Sequence, residues 1–234
     1  MKQIAPGLHT FTGLMAGRVY LIEDADGLTI IDTSIAMAPE RIVRQLEQAG
    51  HTAKAVKRIL ITHGHPDHIG GLPKLQAMTG AEVITSETEK PVVEGREVVA
   101  RAPKESLSAL SRLMLPKEQR FPGTPVHRTV QGGEVLAEVM GGLQVVATPG
   151  HSPGHIAFWQ PERRILFCGD VVMGMMGLTL PFAAFTVDMA ENKRSVARLT
   201  ALAPAILCLG HGEPVTEGTS QRLHTFAQKV GAAT

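Results

Sequence analysis

Short apolar runs rich in β-branched residues alternate along the chain with stretches of helical periodicity. Residues 19–22 and 29–32 are two such runs joined by a polar turn, which predicts a β-hairpin. Pro39 and Gly50 bound an amphipathic stretch, as is typical of the first and last positions of a helix. Further strands are predicted at residues 58–62, 81–85, 143–148, 156–159, 165–168 and 205–209. Further helices are predicted at residues 72–79, 188–203 and 219–229.

The order of these elements indicates the fold class. Strands and helices interleave, but the first strands form an antiparallel hairpin, so a purely parallel doubly wound sheet is disfavoured. The pattern predicts an α/β protein in which β-sheets pack together with helices outside. With 234 residues, the chain has the length of one domain. Residues 88–125 show no strand pattern, and we predict a helical insert over one face there.

Composition narrows the classes of partner. Hydrophobic residues make up 44% and charged residues 19%, and the net charge is +1, so neither nucleic acid nor a membrane is an expected partner. No apolar run has the length of a membrane span, and the first residues do not resemble a secretory signal. Cys168 and Cys208 are expected to be buried free thiols. We therefore expect a cytoplasmic protein.

A dense cluster of titratable residues follows the predicted strand at 58–62. His63, His65, Asp67 and His68 fall within six residues, and Pro66 stiffens the turn between them. Packing gives no reason for four such groups directly after a buried strand. Imidazole and carboxylate together suit Zn, Fe or Mn, so the cluster predicts a metal site.

Three more potential ligands each follow an apolar run and stand beside glycine. They are His151, Asp170 and His211. Ligands at the carboxyl ends of neighbouring strands are typical of sites in α/β architectures. Each residue alone would more often be a structural histidine or a turn residue, and it is the dense cluster that favours a role as ligand.

The motif His63-Gly64-His65-Pro66-Asp67-His68, with the three later residues, resembles the metallo-β-lactamase fold superfamily. The resemblance extends from the first hairpin to His211. It implies a single domain built as a four-layer αβ/βα sandwich of two mixed sheets, with the site at one edge. It also implies two metal ions held by two groups of ligands and a bridging carboxylate: His63, His65 and His151; Asp67, His68 and His211; and the bridge Asp170.

The resemblance also implies a reaction. Two divalent ions, with Zn foremost and Fe or Mn as alternatives, would hold a bridging hydroxide that attacks a carbonyl carbon. Asp67 would pass a proton. Hydrolysis of an ester, thioester or lactone needs no further protein nucleophile. Asp32 matches a position that usually orients the ligand loop in this superfamily, although a simple turn residue is an equal alternative.

The substrate is less closely defined. The chain is similar to the glyoxalase II-like and lactonase-like branch, but only 23 residues follow His211, so we expect no glutathione-binding extension. Superfamily β-lactamases usually have cysteine where this chain has Asp170, which argues against that activity. Residues 171–185 are uncharged and methionine-rich. They predict a partly apolar pocket for a small molecule, with a lid or a homodimer contact as alternatives; Leu110, Leu113, Met114 and Phe121 are their expected neighbours from the insert.

Two other functions stay open from the sequence. An iron-dependent oxidoreductase similar to persulfide dioxygenases would use His63, His151 and Asp170, although the full second ligand set weighs against it. A non-catalytic binding module is disfavoured because degenerate members would be expected to lose ligands. His155 is predicted to form a structural hydrogen bond rather than to bind metal.

Overall fold

The computed structural model describes residues 1–232 and contains two large β-sheets. The first sheet has seven strands: β1 (Lys2–Ala5), β2 (Leu8–Thr10), β3 (Tyr20–Asp24), β4 (Gly27–Ile31), β5 (Val56–Leu60), β6 (Glu82–Ser86) and β7 (Arg128–Val130). They lie in sequence order, antiparallel from β1 to β4 and parallel from β4 to β7. The predicted hairpin is confirmed as β3 and β4, with Tyr20 opposite Ile31.

The second half of the chain forms the other sheets. Its strands are β8 (Val135–Leu136), β9 (Leu143–Ala147), β10 (Ile156–Gln160), β11 (Ile165–Gly169), β12 (Met173–Gly174), β13 (Leu178–Thr179) and β14 (Ile206–Leu209). Five of them make a sheet in the order β14-β11-β10-β9-β8, and β12 pairs with β13 separately. In the five-stranded sheet only β11 and β14 are parallel. Both large sheets are therefore mixed, as expected.

Helices cover the outer faces. The α-helices are α1 (Pro39–Gln48), α2 (Pro66–Ile69), α3 (Leu72–Thr79), α4 (Lys90–Val93), α5 (Ala109–Leu113), α6 (Met189–Ala201) and α7 (Thr219–Lys229). Single 3₁₀ turns lie at Ala53–Ala55, Lys104–Ser106 and Ala183–Phe185. The predicted start of α6 is confirmed, because the Asp188 carboxylate accepts a hydrogen bond from the backbone N–H of Glu191. Within residues 1–232, no helix is long and apolar enough to cross a membrane.

Three apolar clusters separate four layers. Successive strand residues point to opposite faces of a sheet, so Ile30 packs toward α1 and α3 whereas Ile31 packs between the two sheets. Leu166 and Phe167 alternate in the same way, with Leu166 toward α6 and α7. The order helix, sheet, sheet, helix confirms the four-layer sandwich. The sheets meet face to face because both sides of these strands are apolar.

The insert differs from its prediction. Between residues 88 and 125 the only α-helices are the short α4 and α5, with one 3₁₀ turn, and the rest of the segment is irregular. The stretch at 105–115 is α-helical only over Ala109–Leu113. Leu110 and Leu113 are largely exposed, so this short helix lacks the packed apolar face that would extend it. Cys168 and Cys208 are buried free thiols, as predicted.

Candidate metal centre

The seven predicted ligands converge at one edge of the sandwich. His63 and His65 follow β5, and Asp67 and His68 lie in α2, directly after them. The other three follow the carboxyl ends of β9, β11 and β14, in the second sheet: His151, Asp170 and His211. Because β9 and β11 are both antiparallel to β10, and β11 is parallel to β14, these three ends lie on the same side. The fold thus brings together residues up to 148 positions apart (211 − 63).

Three histidines form the inner group. One ring nitrogen from each of His63, His65 and His151 lies within 4.8 Å of the other two. Their ring centroids are 4.5–4.8 Å apart, and all three side chains are buried. Such a spacing of three imidazoles can enclose one cation.

The outer group opens toward solvent. Single ligand atoms of Asp67, His68 and His211 also lie within 4.8 Å of one another. His211 Nε2 is 3.0 Å from Asp67 Oδ2, and both side chains are partly exposed. This group can hold a second cation at the more accessible side.

Asp170 lies between the two groups. Its Oδ1 is 3.3 Å from His68 Nε2, and its Oδ2 is 3.2 Å from His211 Nε2 and 3.5 Å from His151 Nε2. Gly210 makes room for this carboxylate, since a Cβ there would lie 2.0 Å from Oδ1. One carboxylate therefore contacts both groups.

Unpaired buried atoms show that the donor set fits a metal. In residues 1–232 the Nε2 atoms of His63, His68 and His151, and Oδ1 of Asp170, are buried without a well-oriented hydrogen bond, although His68 Nε2 lies 3.3 Å from Asp170 Oδ1. Buried polar atoms are normally paired. All four point into the same small volume and offer imidazole and carboxylate lone pairs, which suit Zn, Fe or Mn.

The hydrogen bonds made by the Nδ1 atoms of the ligand histidines determine which ring nitrogen is free to bind metal. The Thr62 hydroxyl donates to Asp32, so it accepts a hydrogen bond from His63 Nδ1 at 3.0 Å. Likewise Thr186 donates to a backbone carbonyl and accepts from His151 Nδ1 at 3.3 Å. Each ring consequently has its proton on Nδ1 and a lone pair on Nε2, as metal-ligating histidines require.

Asp32 is the partner of His68. Its Oδ2 accepts from His68 Nδ1 at 2.8 Å, and its Oδ1 accepts from the Thr62 backbone N–H at 2.9 Å. The residue is buried at a φ of +59°, just beyond β4. Of the two alternatives for Asp32, the structure supports the residue that orients the ligand loop.

His155 is a structural residue, as predicted. The backbone N–H of Asp170 donates to His155 Nε2 at 3.1 Å, so His155 Nδ1 donates to Thr148 Oγ1 at 2.8 Å. Both ring nitrogens are therefore occupied. The ring holds the backbone at Asp170 in place and offers no lone pair to a metal.

Charge and burial differ between the two groups. Burial lowers the pKa of His65 to about 4, and burial with neighbouring histidines holds those of His63 and His151 well below the ordinary value. These rings are neutral and can donate lone pairs. Burial alone would lower the pKa of His211, but its hydrogen bonds to the neighbouring carboxylates raise it to about 9. Without metal, a proton takes the place of a cation in the outer group.

A cavity of about 870 Å³ lies directly above the two groups. Its floor includes five of the seven predicted ligands: His65, Asp67, His151, Asp170 and His211. Much of one wall comes from the methionine-rich segment: Met173, Met175, Met176, Phe182 and Phe185. Residues 171–185 thus contribute to the pocket, although Leu178 and Leu180 pack against the core instead.

The insert forms another wall with residues that the sequence did not indicate. These are Val99, Ala100, Arg101, Pro116, Lys117 and Gln119. The expected neighbours are confirmed only in part: α5, which carries Leu110 and Leu113, lies beside the 3₁₀ turn at Ala183–Phe185. None of the four expected residues lines the cavity, because Leu110, Leu113 and Met114 are exposed and Phe121 packs on the core. The irregular backbone of the insert turns residues on both sides of α5 toward the metal groups, and no periodicity predicts that.

Comparison with known proteins decides the family. A family model described as "Metallo-beta-lactamase superfamily" matches residues 12–211, a span that includes all seven predicted ligands. The chain belongs to the metallo-beta-lactamase superfamily.

Individual members of the superfamily support the same assignment. The probable metallo-hydrolase YflN of Bacillus subtilis (strain 168) is 30% identical over 234 residues, covering 92% of this chain and 87% of that protein. A hydroxyacylglutathione hydrolase of Rhodospirillum rubrum is 30% identical over 196 residues, covering 83% of this chain and 62% of that protein.

The fold also matches a solved member of the superfamily. The crystal structure of metallo-beta-lactamase family protein TTHA1429 from Thermus thermophilus superposes with a TM-score of 0.72 at 27% identity. The match covers 98% of this chain and 81% of that one. Together with the relatives, it makes the chain a metal-dependent hydrolase of the metallo-beta-lactamase superfamily.

The site includes one buried acid that the sequence analysis missed. Glu89 contacts both loops that carry the inner ligands. Thr186, which accepts a hydrogen bond from His151, was not foreseen either. Glu89 follows a buried strand, as several predicted ligands do, and this position was the sequence signal that could have identified it. It stands outside any dense cluster, so nothing in the sequence distinguishes it from a surface glutamate.

Proposed function

We propose that this superfamily member is a dinuclear hydrolase of a carbonyl ester, thioester or lactone with a partly apolar acyl group. One observation supports the proposal above all. Two adjoining groups of donors share the Asp170 carboxylate and open into an apolar-walled cavity. Such a floor can bind and polarise a carbonyl, and such walls can bind an acyl chain.

The seven predicted ligands would hold two divalent cations, for which we propose Zn, with Fe or Mn accepted by the same donors. The inner cation would be held by His63, His65 and His151, and the outer by Asp67, His68 and His211, with Asp170 shared. When bound, the cations would activate a water near neutral pH and polarise the carbonyl oxygen. Asp32, Thr62 and Thr186 keep the ligand rings oriented.

Asp67 is the proposed proton carrier. Its carboxylate lines the cavity and is partly exposed, whereas Asp170 is buried. A carboxylate at the open side can accept the proton of the attacking water and deliver it to the departing oxygen or sulfur. The same carboxylate is a proposed ligand, which reduces its basicity and limits it to a relay.

The cavity walls support a partly apolar substrate. Met173, Met175 and Met176 are flexible and polarisable side chains that adapt to different acyl shapes. The name of the Rhodospirillum rubrum relative favours a thioester among the three candidate bonds. Lys117, which lines the cavity, is available to an anionic part of a substrate, whereas the guanidinium of Arg101 forms an ion pair with Glu118 at 2.5 Å.

Location and partners stay predictions. The two buried free thiols support a location in the cytoplasm, where conditions are reducing. The near-neutral charge supports a small-molecule substrate over nucleic acid. A homodimer and the division into one domain with an insert are likewise proposals from the sequence.

Elemental analysis of the purified protein, beside a panel of thioesters, lactones and p-nitrophenyl esters, tests the proposal. Two metals per chain with turnover of a panel member would support it, and the preferred member would identify the bond. One iron per chain, no hydrolysis and oxygen consumption with a persulfide would instead support the iron oxidoreductase. Stoichiometric metal without any turnover would favour a binding module.

A further inference from the structure

Glu89 is a buried acid outside the proposed ligand set. It lies between β6 and α4, and only 3% of its surface is exposed. In residues 1–232 no Lys, Arg or His forms an ion pair with it within 4.0 Å. A carboxylate in such a place is costly unless hydrogen bonds compensate for the lost water.

The compensating hydrogen bonds come from the two ligand loops. The backbone N–H of Gly64 donates to Glu89 Oε2 at 2.8 Å. The Ser152 hydroxyl and the Gly154 backbone N–H donate to Oε1 at 2.6 Å and 2.8 Å. Gly64 separates His63 from His65, and Ser152 follows His151. One carboxylate thus joins the loops that supply the inner group.

The packing around Gly64 shows how tightly the first loop is held. A Cβ at Gly64 would lie 2.9 Å from Glu89 Oε2 and 2.7 Å from Val92 Cγ1. The glycine therefore lets the loop reach the carboxylate. Across this contact the rings of His65 and His151 have centroids 4.5 Å apart, so a small shift between the loops changes the distances among the inner donors.

An ionised carboxylate suits these contacts better than an amide. All three partners are donors, and a carboxylate is a pure acceptor, whereas glutamine would direct an NH₂ group at one of them. We propose that Glu89 is a positioning residue that sets the separation of the His63–His65 loop and the His151 loop, and thereby the affinity of the inner group for its cation. This inference rests on the metal set in the proposed function.

The test compares Glu89→Gln with Glu87→Gln, which removes an exposed carboxylate two residues away. Metal-free proteins would be titrated with Co²⁺, whose visible absorption reports coordination geometry, and then with Zn²⁺ against a chromophoric chelator. Circular dichroism would confirm that each metal-free variant is folded at the temperature of the titration. We expect Glu89→Gln to weaken one of the two sites, the inner one, roughly 10- to 100-fold with an altered Co²⁺ spectrum, and Glu87→Gln to match the wild type.

A merely structural role would give a different result. Glu89→Gln would then lower the unfolding temperature of the metal-free protein while its metal affinity and Co²⁺ spectrum stayed at wild-type values, and that result would overturn the inference. If Glu89→Gln does not fold, Ser152→Ala removes one of the three bonds and replaces it in the titration. A weakened site supports the inference and an unchanged one overturns it. A wild-type protein that binds neither metal would instead refute the proposed function.

Discussion

His68 donates from Nδ1 to Asp32 Oδ2 across 2.8 Å, linking the outer metal group to the end of β4. The same carboxylate accepts from the backbone and the hydroxyl of Thr62. Since Thr62 in turn accepts from His63, Asp32 influences one histidine in each group. A single buried acid just beyond β4 therefore fixes the ring orientation of two proposed ligands.

We expect Asp32→Asn to weaken metal binding and to lower turnover, each by roughly 10- to 100-fold. Asparagine tolerates the left-handed backbone at this position, so the fold should persist. Its amide group would face a donor and disturb the His68 ring. Glu47→Gln, which removes an exposed carboxylate on α1, is the control and should keep wild-type metal content. Equal metal content in both variants by elemental analysis would contradict the prediction.

Removing a proposed ligand should have a larger effect. His63→Ala should lose about one metal per chain and at least about 100-fold in turnover, since loss of an outer partner alone costs roughly 10- to 100-fold. Asp170→Asn should impair both groups because its carboxylate contacts both. The exposed histidine His224, on α7, provides the control variant His224→Ala. Normal metal and full activity in His63→Ala or Asp170→Asn would refute the ligand assignment.

Met176 tests whether the methionine-rich wall contacts substrate. It is 99% exposed at the cavity, so Met176→Lys should leave the fold intact. KM for long acyl substrates should rise about tenfold, the equivalent of about two methylene groups at about 0.8 kcal/mol each, with little change for short ones. Met37→Lys, exposed and outside the cavity lining, is the control. An equal rise for long and short substrates would argue against contact with the acyl chain.

Metal removal should lower thermal stability. A ligand present at 100 times its Kd stabilises the native state by about 2.7 kcal/mol. For a domain of this size, each kcal/mol shifts Tm by about 2–4 °C, so chelation should lower Tm by roughly 5–10 °C. Zn²⁺ should restore it, whereas Mg²⁺, which prefers oxygen ligands, should not. An unchanged Tm after verified metal loss would show that metal binding does not stabilise the native state.

Much of the sandwich was predictable because its strands are long enough to show their pattern. Ile59 and Leu60 stand in an unbroken apolar run, and the ligands cluster directly behind it. The strands β1, β2, β7, β8, β12 and β13 were missed, since two to four residues are too few for a pattern. The pairing of β7 depends in addition on β6, which is distant in sequence.

The sequence predicted the ligands of the candidate site but not all of the residues that position them. His63 and His151 were suggested by residue type and by their place after a strand. Glu89 was not, because its role depends on two loops that approach it only in the folded chain. The methionine-rich wall was predicted from its uncharged, apolar sequence, whereas the insert wall was not, because residues 94–103 and 115–127 have no regular periodicity.

The floor and the walls of the cavity differ in how deeply they are packed into the fold. The floor residues follow strands that are buried between layers, whereas the walls are short irregular segments with exposed side chains such as Met175 and Met176. Substitutions in the walls remove little buried apolar area and so cost little folding free energy. Substrate preference in this enzyme is therefore open to change by mutation while the reactive centre is preserved, which makes the two wall segments the natural targets of a directed-evolution library.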